Sequence, residues 1–207
     1  MRDYYVVKDA IKNVVKEGET NYLFSNAGVA FFIDAKTGTQ VDFVNSPIEQ
    51  LHDMVDINLK GQINILHSFI NAVIEKQAKG NIIVVSSISA FHSGGSSMAV
   101  YDSTKAAISA LAKRLVPYNK YIRINIIEPG SVRTNIGGWN TDFTQCKEGI
   151  EIVKQGQDLD AKRLNNSEVS LQNIVNVVEF IFFSNHGLNG AEIVVDEGLT
   201  LIGREGY

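Results

Sequence analysis

The sequence predicts an α/β fold in which a parallel sheet carries helices on both faces. Two observations predict it. Segments of helical period and segments of strand character alternate, helix then strand, four times along the chain. That order is how parallel strands joined by right-handed crossover helices are written in a sequence. The clearest strand, Ile82-Ile83-Val84-Val85, is also an unbroken β-branched run, which suits a strand covered on both faces.

Residues 5–17 place Val6, Ala10, Ile11, Val14 and Val15 at helical spacing with polar residues opposite, and Gly18 suits the stop. Tyr22-Leu23-Phe24 reads as a short buried strand, ended by Ser25-Asn26-Ala27-Gly28. Residues 29–46 are looser, with a turn at Lys36-Thr37-Gly38-Thr39. Ser46-Pro47-Ile48-Glu49 has the form of a capped helix start: Ser46 as cap, Pro47 at the first helical position, Glu49 three residues on. The helix it opens is expected from about 47 to 77, with Gly61 as its natural breaking point. Asn81 to Val85 forms a strand, and a serine- and glycine-rich loop follows over 86–97. Residues 101–116 form a helix rich in alanine, at Ala106, Ala107, Ala110 and Ala112. Ile122 to Ile127 is the next strand, closed by Pro129-Gly130. Residues 131–168 are polar and weakly periodic, 171–183 read as a helix, and Glu192 to Val195 as the last strand. No repeat, low-complexity tract or boundary divides residues 1–207, so one domain is expected.

Composition narrows the class. The 207 residues are 44% hydrophobic and 20% charged, with net charge −4. No basic block gathers the lysines and arginines that phosphate binding needs, which argues against nucleic acid as a partner. Cys146 is the only cysteine, so an intrachain disulfide is impossible and a reducing compartment fits. The start has no signal-peptide core, and apolar runs such as Ile181-Phe182-Phe183 are too short to cross a membrane. A cytoplasmic protein with no membrane partner is expected. His52, His67, His92 and His186 lack ligand spacing, so no metal is expected.

The strongest chemical signal is Tyr101-Asp102-Ser103-Thr104-Lys105. Positions i and i+4 share a helix face, so the Lys105 ammonium is expected near the Tyr101 phenol. An unperturbed phenol titrates near pKa ~10, and a nearby cation lowers it toward the working pH of an acid/base. Ser86 and Ser87 follow the best strand, at the carboxyl end where open α/β sheets bind ligands. A hydroxyl there is placed to bond a carbonyl or alcohol oxygen; Ser89 lies further into the loop. Asn26 and the small residues Ala27 and Gly28 end another strand. Asn58 is a middling helix former inside a long helix and so invites a reason. Pro129-Gly130-Ser131-Val132-Arg133-Thr134 closes a third strand end. Three strand ends thus aim polar or small residues at one edge of the sheet.

With these residues in view, the sequence resembles the short-chain dehydrogenases/reductases. Asn26-Ala27-Gly28 matches the family's Asn-Asn-Ala-Gly element, with Ser25 in place of the first Asn. Asn58 matches its catalytic asparagine, Ser87 its serine, and Tyr101 with Lys105 its Tyr-x-x-x-Lys. The Ser87-to-Tyr101 spacing is slightly wide, which implies a small loop insertion. Pro129-Gly130 and Thr134 match the turn that holds the nicotinamide carboxamide, and Val194-Val195-Asp196-Glu197-Gly198 resembles the final strand, usually Val-Asp-Gly-Gly.

The resemblance implies a Rossmann-like sheet and hydride transfer between an alcohol or ketone and NAD or NADP. Tyr101 would be the acid/base and Ser87 would polarise the reacting oxygen. Lys105 would lower the tyrosine pKa and bond the nicotinamide ribose, and Asn58 would hold a relay water. Asn26, Ala27, Gly28, Tyr101, Lys105, Pro129, Gly130, Val132 and Thr134 would line the cofactor. It also implies a substrate lid over residues 135–165, where Trp139 and Phe143 lie, and a homodimer or homotetramer through the helices bearing Asn58 and Tyr101.

The family's Thr-Gly-x-x-x-Gly-x-Gly turn, which sets backbone N–H groups against a pyrophosphate, does not occur in the 207 residues. The expected sheet therefore lacks the first strands of the usual seven, the strand at 22–24 becomes an edge, and dinucleotide binding is weakened or lost in this form. The alternative is a non-catalytic binding or scaffold protein on the same fold.

Overall fold

The computed structural model describes residues 1–30, 34, 40–93, 95–116, 120–132, 136, 169–184 and 187–201. Four strands form one sheet: β1 (Thr20–Ser25), β2 (Lys79–Val85), β3 (Ile122–Pro129) and β4 (Glu192–Val195). All neighbours are parallel, in the spatial order β1-β2-β3-β4. The register sets Ser25 beside Val84, Val85 beside Ile127, and Pro129 beside Val195, so the carboxyl ends of all four strands face one edge. Within the described residues β1 is the outermost strand, as the sequence led us to expect.

The helices are α1 (Tyr4–Val14), α2 (Ile48–Val55), α3 (Gly61–Glu75), α4 (Ala99–Leu115) and α5 (Leu171–Glu179). They divide between the faces according to strand parity. Ile82 and Val84 of β2 point into a cluster with Leu66 and Phe69 of α3 and Ile108 and Ala112 of α4, with Ile11 of α1 packed against it. Ile83 and Val85 point the other way, to Ile181 and Phe182 beyond α5. Ile82, Ile83, Val84, Ile126 and Ile127 are wholly buried, as a doubly covered strand requires. Each such side chain contributes roughly 2 kcal/mol.

This layout corrects one expectation. The strands progress in one direction across the sheet, yet α3 and α4 lie on one face and α5 on the other. The last crossover therefore has the opposite hand to the first two, so the three cannot all be right-handed.

Helix starts and stops also differ in instructive ways. Helix α1 begins at Tyr4, because the Asp3 carboxylate accepts hydrogen bonds from the N–H groups of Tyr5 and Val6. Ser46 does not cap α2. Its hydroxyl donates to the Asp42 carbonyl at 2.7 Å, its own turn having claimed it first, and Pro47 becomes the capping position. The helix is interrupted near Gly61, as expected, but by a change of winding rather than a break. Helices α2 and α3 join through one π-helical turn, Asp56–Lys60, in which the Gly61 N–H reaches the Asp56 carbonyl five residues back. Asn58 sits in that turn. Among the described residues, no helix is long and apolar enough to cross a membrane.

Candidate active site

The carboxyl ends of β1, β2 and β3 each deliver a short polar segment to the same place. After β1 the chain runs through Asn26 and Ala27, both exposed, to the half-buried Gly28. Helix residues grip this segment from behind. The Asn58 amide brackets Val29: its Oδ1 accepts from the Val29 N–H at 2.8 Å and its Nδ2 donates to the Val29 carbonyl at 2.7 Å. The same Nδ2 lies 3.2 Å from the Thr104 hydroxyl on α4. One turn on, Gln62 donates to the Ala27 carbonyl at 2.7 Å and accepts from the Ser25 hydroxyl. Both amides are buried.

Gln62 is a positioning residue that our reading of the sequence missed. Its signal was present, since it lies four residues after Asn58 and therefore on the same helix face.

Helix α4 supplies the reactive pair. Tyr101 is buried against Ala30, Leu51 and Met54. Lys105 is buried one turn further on, with its Nζ 5.6 Å from the centre of the Tyr101 ring. The ammonium donates to the Val85 carbonyl at 2.9 Å. A Cβ built on Gly28 would lie 3.6 Å from that Nζ and 3.4 Å from Asn58 Oδ1, so the loop after β1 passes the ammonium as bare backbone.

Of the candidate serines, the structure separates three roles. The Ser87 hydroxyl sits near enough to the Tyr101 phenol to lower its pKa, and it accepts from the Ser89 N–H at 3.1 Å. Ser89 thus orients Ser87 through its backbone. The Ser86 hydroxyl turns inward, away from the phenol, and donates to the Lys105 carbonyl at 3.1 Å.

Pro129 and Gly130 lie at the end of β3, and Val132 is half-buried just beyond. The Gly130 N–H donates to the Val195 carbonyl at 2.9 Å, and a Cβ there would sit 2.9 Å from Asp196 Cα. Glycine is thus needed for β3 to leave the sheet past β4. Thr134, Trp139, Phe143 and His186 lie outside the described residues. So does the segment read as a lid, except Ile136, whose carbonyl accepts from the Ala30 N–H at 3.0 Å.

The electrostatics differ from what spacing suggested. Burial pushes the Tyr101 phenol up to about 12, the Ser87 hydrogen bond pulls it back, and Asp102 adds to the rise. Desolvation thus sets the direction, and the Lys105 ammonium, which lies over the ring and is bonded to Val85, does not reverse it. Burial also lowers Lys105, to about 8.

That shift has a thermodynamic sign. Below pH ~8 the lysine is charged in both folded and unfolded chains, and the folded one bears the desolvation cost. Between pH ~8 and ~10.5 only the unfolded chain keeps the proton, so stability rises with pH. At about 1.36 kcal/mol per unit the full rise is about 3 kcal/mol. Urea unfolding across that window should show the rise in the wild type and lose it in Lys105→Met. Parallel curves for the two would mean that Lys105 is not desolvated.

Residues 1–143 match the family model described as short chain dehydrogenase. The chain belongs to the short-chain dehydrogenase family. Relatives include the L-rhamnose-1-dehydrogenase of Scheffersomyces stipitis, 31% identical over 90% of this chain and 66% of that protein. The NADP(+) L-rhamnose 1-dehydrogenase of Thermoplasma acidophilum is 28% identical over 64% of this chain and 50% of its own length. The chain therefore spans half to two thirds of these short-chain dehydrogenase relatives.

Among solved structures, the ligand-free aldohexose dehydrogenase of Thermoplasma acidophilum superposes with a TM-score of 0.76 at 18% identity, covering 100% of this chain and 78% of that one. A 2-deoxy-d-gluconate 3-dehydrogenase homologue from Agrobacterium tumefaciens with bound NADP gives 0.72 at 21% identity, over 96% and 74%. These likenesses carry the fold of the family. One departure from the family pattern is structural: Glu197 adopts a left-handed backbone with φ 53° where the family usually has glycine, and Asn173 holds its carboxylate at 2.7 Å.

Proposed function

We propose that this chain acts as an NAD(P)-dependent oxidoreductase, interconverting an alcohol and a carbonyl compound with Tyr101 as the acid/base. The observation that carries the reading is the gathering of the Tyr101 phenol, the Ser87 hydroxyl and the Lys105 ammonium where three strands end. The residues present fit the nicotinamide ribose end of such a cofactor. Among the described residues, Lys105 makes one hydrogen bond, to Val85, and an ammonium has three hydrogens to give. The bare backbone at Gly28 leaves its approach open, and exposed Asn26 and Ala27 flank it. Pro129, Gly130, Val132 and Thr134 would border the nicotinamide. The bound nicotinamide would supply the hydride chemistry.

The side chains divide the remaining work. A phenol held near 12 is fully protonated at neutral pH, so Tyr101 is ready to donate its proton to a carbonyl oxygen. Ser87 bonds the same oxygen and fixes its distance from the phenol. Asn58 and Gln62 hold the loop after β1 in place, and the Asn58 side chain spends its donors and acceptor on Val29 and Thr104, which makes positioning its role.

The L-rhamnose dehydrogenases among the relatives make an aldose or its lactone the first substrate class to try. A homodimer or homotetramer fits the surface, since Ala110 is exposed on α4 and Val55 and Ile63 are exposed beside the Asn58 turn.

Titration with NADH and NADPH tests the reading, with emission from Trp139, the only tryptophan, as the readout. A saturable change in emission is expected. A folded chain that gives no response at millimolar cofactor would sink the catalytic reading for these 207 residues and leave the scaffold alternative.

A further inference from the structure

Among the described residues two acids are buried, Asp196 and Glu128. Asp196 is explained locally. Its oxygens accept from the Gly198 N–H, the Thr200 N–H and the Thr200 hydroxyl, which closes the turn after β4. Glu128 has no such cradle. It is 3% exposed on β3, and its hydrogen-bond partner among the described residues is the Ser109 hydroxyl of α4, 3.1 Å from Oε1.

That contact is the far end of a chain leading to the candidate active site. Ser109 Oγ lies 2.7 Å from Ser86 Oγ, and Ser86 Oγ lies 3.1 Å from the Lys105 carbonyl. All three side chains are buried. Three contacts need three hydrogens. The Lys105 carbonyl has none, so Ser86 donates to it. Ser86 has only one hydrogen, so Ser109 donates to Ser86. The third hydrogen, for Ser109 and Glu128, must then come from the carboxyl group. An ionised Glu128 would leave the chain one hydrogen short.

We propose that Glu128 is a positioning residue, held as the un-ionised acid, whose proton completes the chain through Ser109 and Ser86 to the Lys105 carbonyl and so fixes the active-site turn of α4. Its effect on turnover rests on the reading of Tyr101 and Lys105 given above; its protonation does not. The end of β2 grips residue 105 at both ends. The Val85 carbonyl accepts from its ammonium, and the next residue, Ser86, donates to its carbonyl. Losing the second grip frees the helix turn that aims the ammonium.

The groups facing Glu128 are Ser109 and Lys113 of α4 and Glu192 of β4. Burial and Glu192 raise its pKa, Lys113 lowers it, and the net direction is upward. Ser109 would lower it only by donating to a carboxylate, the arrangement that leaves the chain one hydrogen short. Lys113 is tied to Glu192 at 2.6 Å, which limits its help to Glu128.

Two variants test this. Glu128→Gln keeps the shape and supplies an N–H that never ionises. The wild-type fold holds a proton that the unfolded chain releases near pH ~4.3, so wild-type stability falls as pH rises above that value, and the variant is spared this fall. The melting temperature of Glu128→Gln should therefore gain on the wild type from pH ~4.3 upward. A wild-type minus variant infrared difference spectrum, taken about one unit above the free glutamate pKa of ~4.3, should show the carbonyl stretch of an un-ionised acid. A carboxylate band in its place, with parallel melting curves, overturns the proposal.

Ser109→Ala cuts the chain while leaving both ends, and alanine suits a helix. It should shift the midpoint of the Lys105 ammonium titration followed by NMR. It should also lower kcat by roughly tenfold with KM unchanged, short of the ~100-fold that a 1 Å misplacement can cost. Glu128→Gln should match the wild type in both at neutral pH. An unmoved Lys105 titration in Ser109→Ala overturns the positioning role. If the wild type turns over no substrate, the functional reading fails by itself, and the infrared and NMR results still decide this one.

Discussion

Tyr101→Phe should leave the chain folded and remove its carbonyl reduction. The substitution deletes one oxygen and keeps the ring, whose packing against Ala30, Leu51 and Met54 does not involve that oxygen. The stability change is the loss of the Ser87 hydrogen bond set against the gain of no longer burying a hydroxyl, so a net shift within about 1 kcal/mol is expected. The kinetic change is far larger. A positioned acid is worth ~10²–10⁴-fold, and Phe has no proton to give at any pH. Ser87 does not replace it, because an aliphatic hydroxyl is a far weaker acid than a phenol. Steady-state kcat alongside thermal unfolding separates the two effects. Turnover that survives in Tyr101→Phe would move the acid/base role elsewhere.

Asn58→Ala carries the next largest effect, and it falls on stability and geometry together. The Asn58 amide satisfies both the N–H and the carbonyl of Val29 and reaches Thr104 on the next helix. Alanine would leave those backbone groups without their partner in a site too confined for water to replace both bonds well. Each orphaned group costs ~1–3 kcal/mol, so a loss of about 3 kcal/mol is expected in chemical denaturation. The loop after β1 would loosen beside Lys105, and cofactor affinity should fall with it. Asn58→Asp separates the two parts: its carboxylate can still accept from the Val29 N–H but offers the Val29 carbonyl no hydrogen. A stability close to the wild type in Asn58→Ala would mean that the bracket is ornamental.

What could be read from the sequence follows from where the physics is local. Strands β2 and β3 were legible because burial on both faces writes itself as apolar runs, and Ile82 to Val85 is as plain an example as the chain holds. Tyr22-Leu23-Phe24 marked a strand but not a buried one, since Tyr22 and Phe24 are exposed on the edge strand β1. Tyr101 and Lys105 were legible because four residues is a helix turn. Other features depend on partners distant in the chain. Gln62 matters through Ala27 and Ser25, and neither contact marks the sequence around Gln62 itself. The phenol's pKa was misjudged for the same reason. Spacing places a cation near Tyr101, but not how dry the site is, and dryness decides the direction. The face on which α5 packs, and hence the hand of the last crossover, depends on the parity of Ile83 and Val85 against helices still to come. Ser46 looked like a cap because the motif was present, while the Asp42 carbonyl that claims its hydroxyl belongs to a turn with no comparable signature.

The π-helical turn at Asp56–Lys60 bears on how this protein tolerates change in length. Such a turn is a helix holding one residue more than its regular winding would. Removing a single residue there should let α2 and α3 wind as one ordinary helix, with Leu51 and Met54 on one side and Leu66 and Phe69 on the other still meeting their neighbours. The shortened segment should wind more regularly as a helix, but the fold as a whole should lose the ~3 kcal/mol ascribed above to the Asn58 bracket. The lost bulge is what presents the Asn58 amide to Val29, so the deletion would trade a functional geometry for a more regular one. The extra residue is a small irregularity kept at the one place along 28 residues of helix where the site needs a side chain out of step.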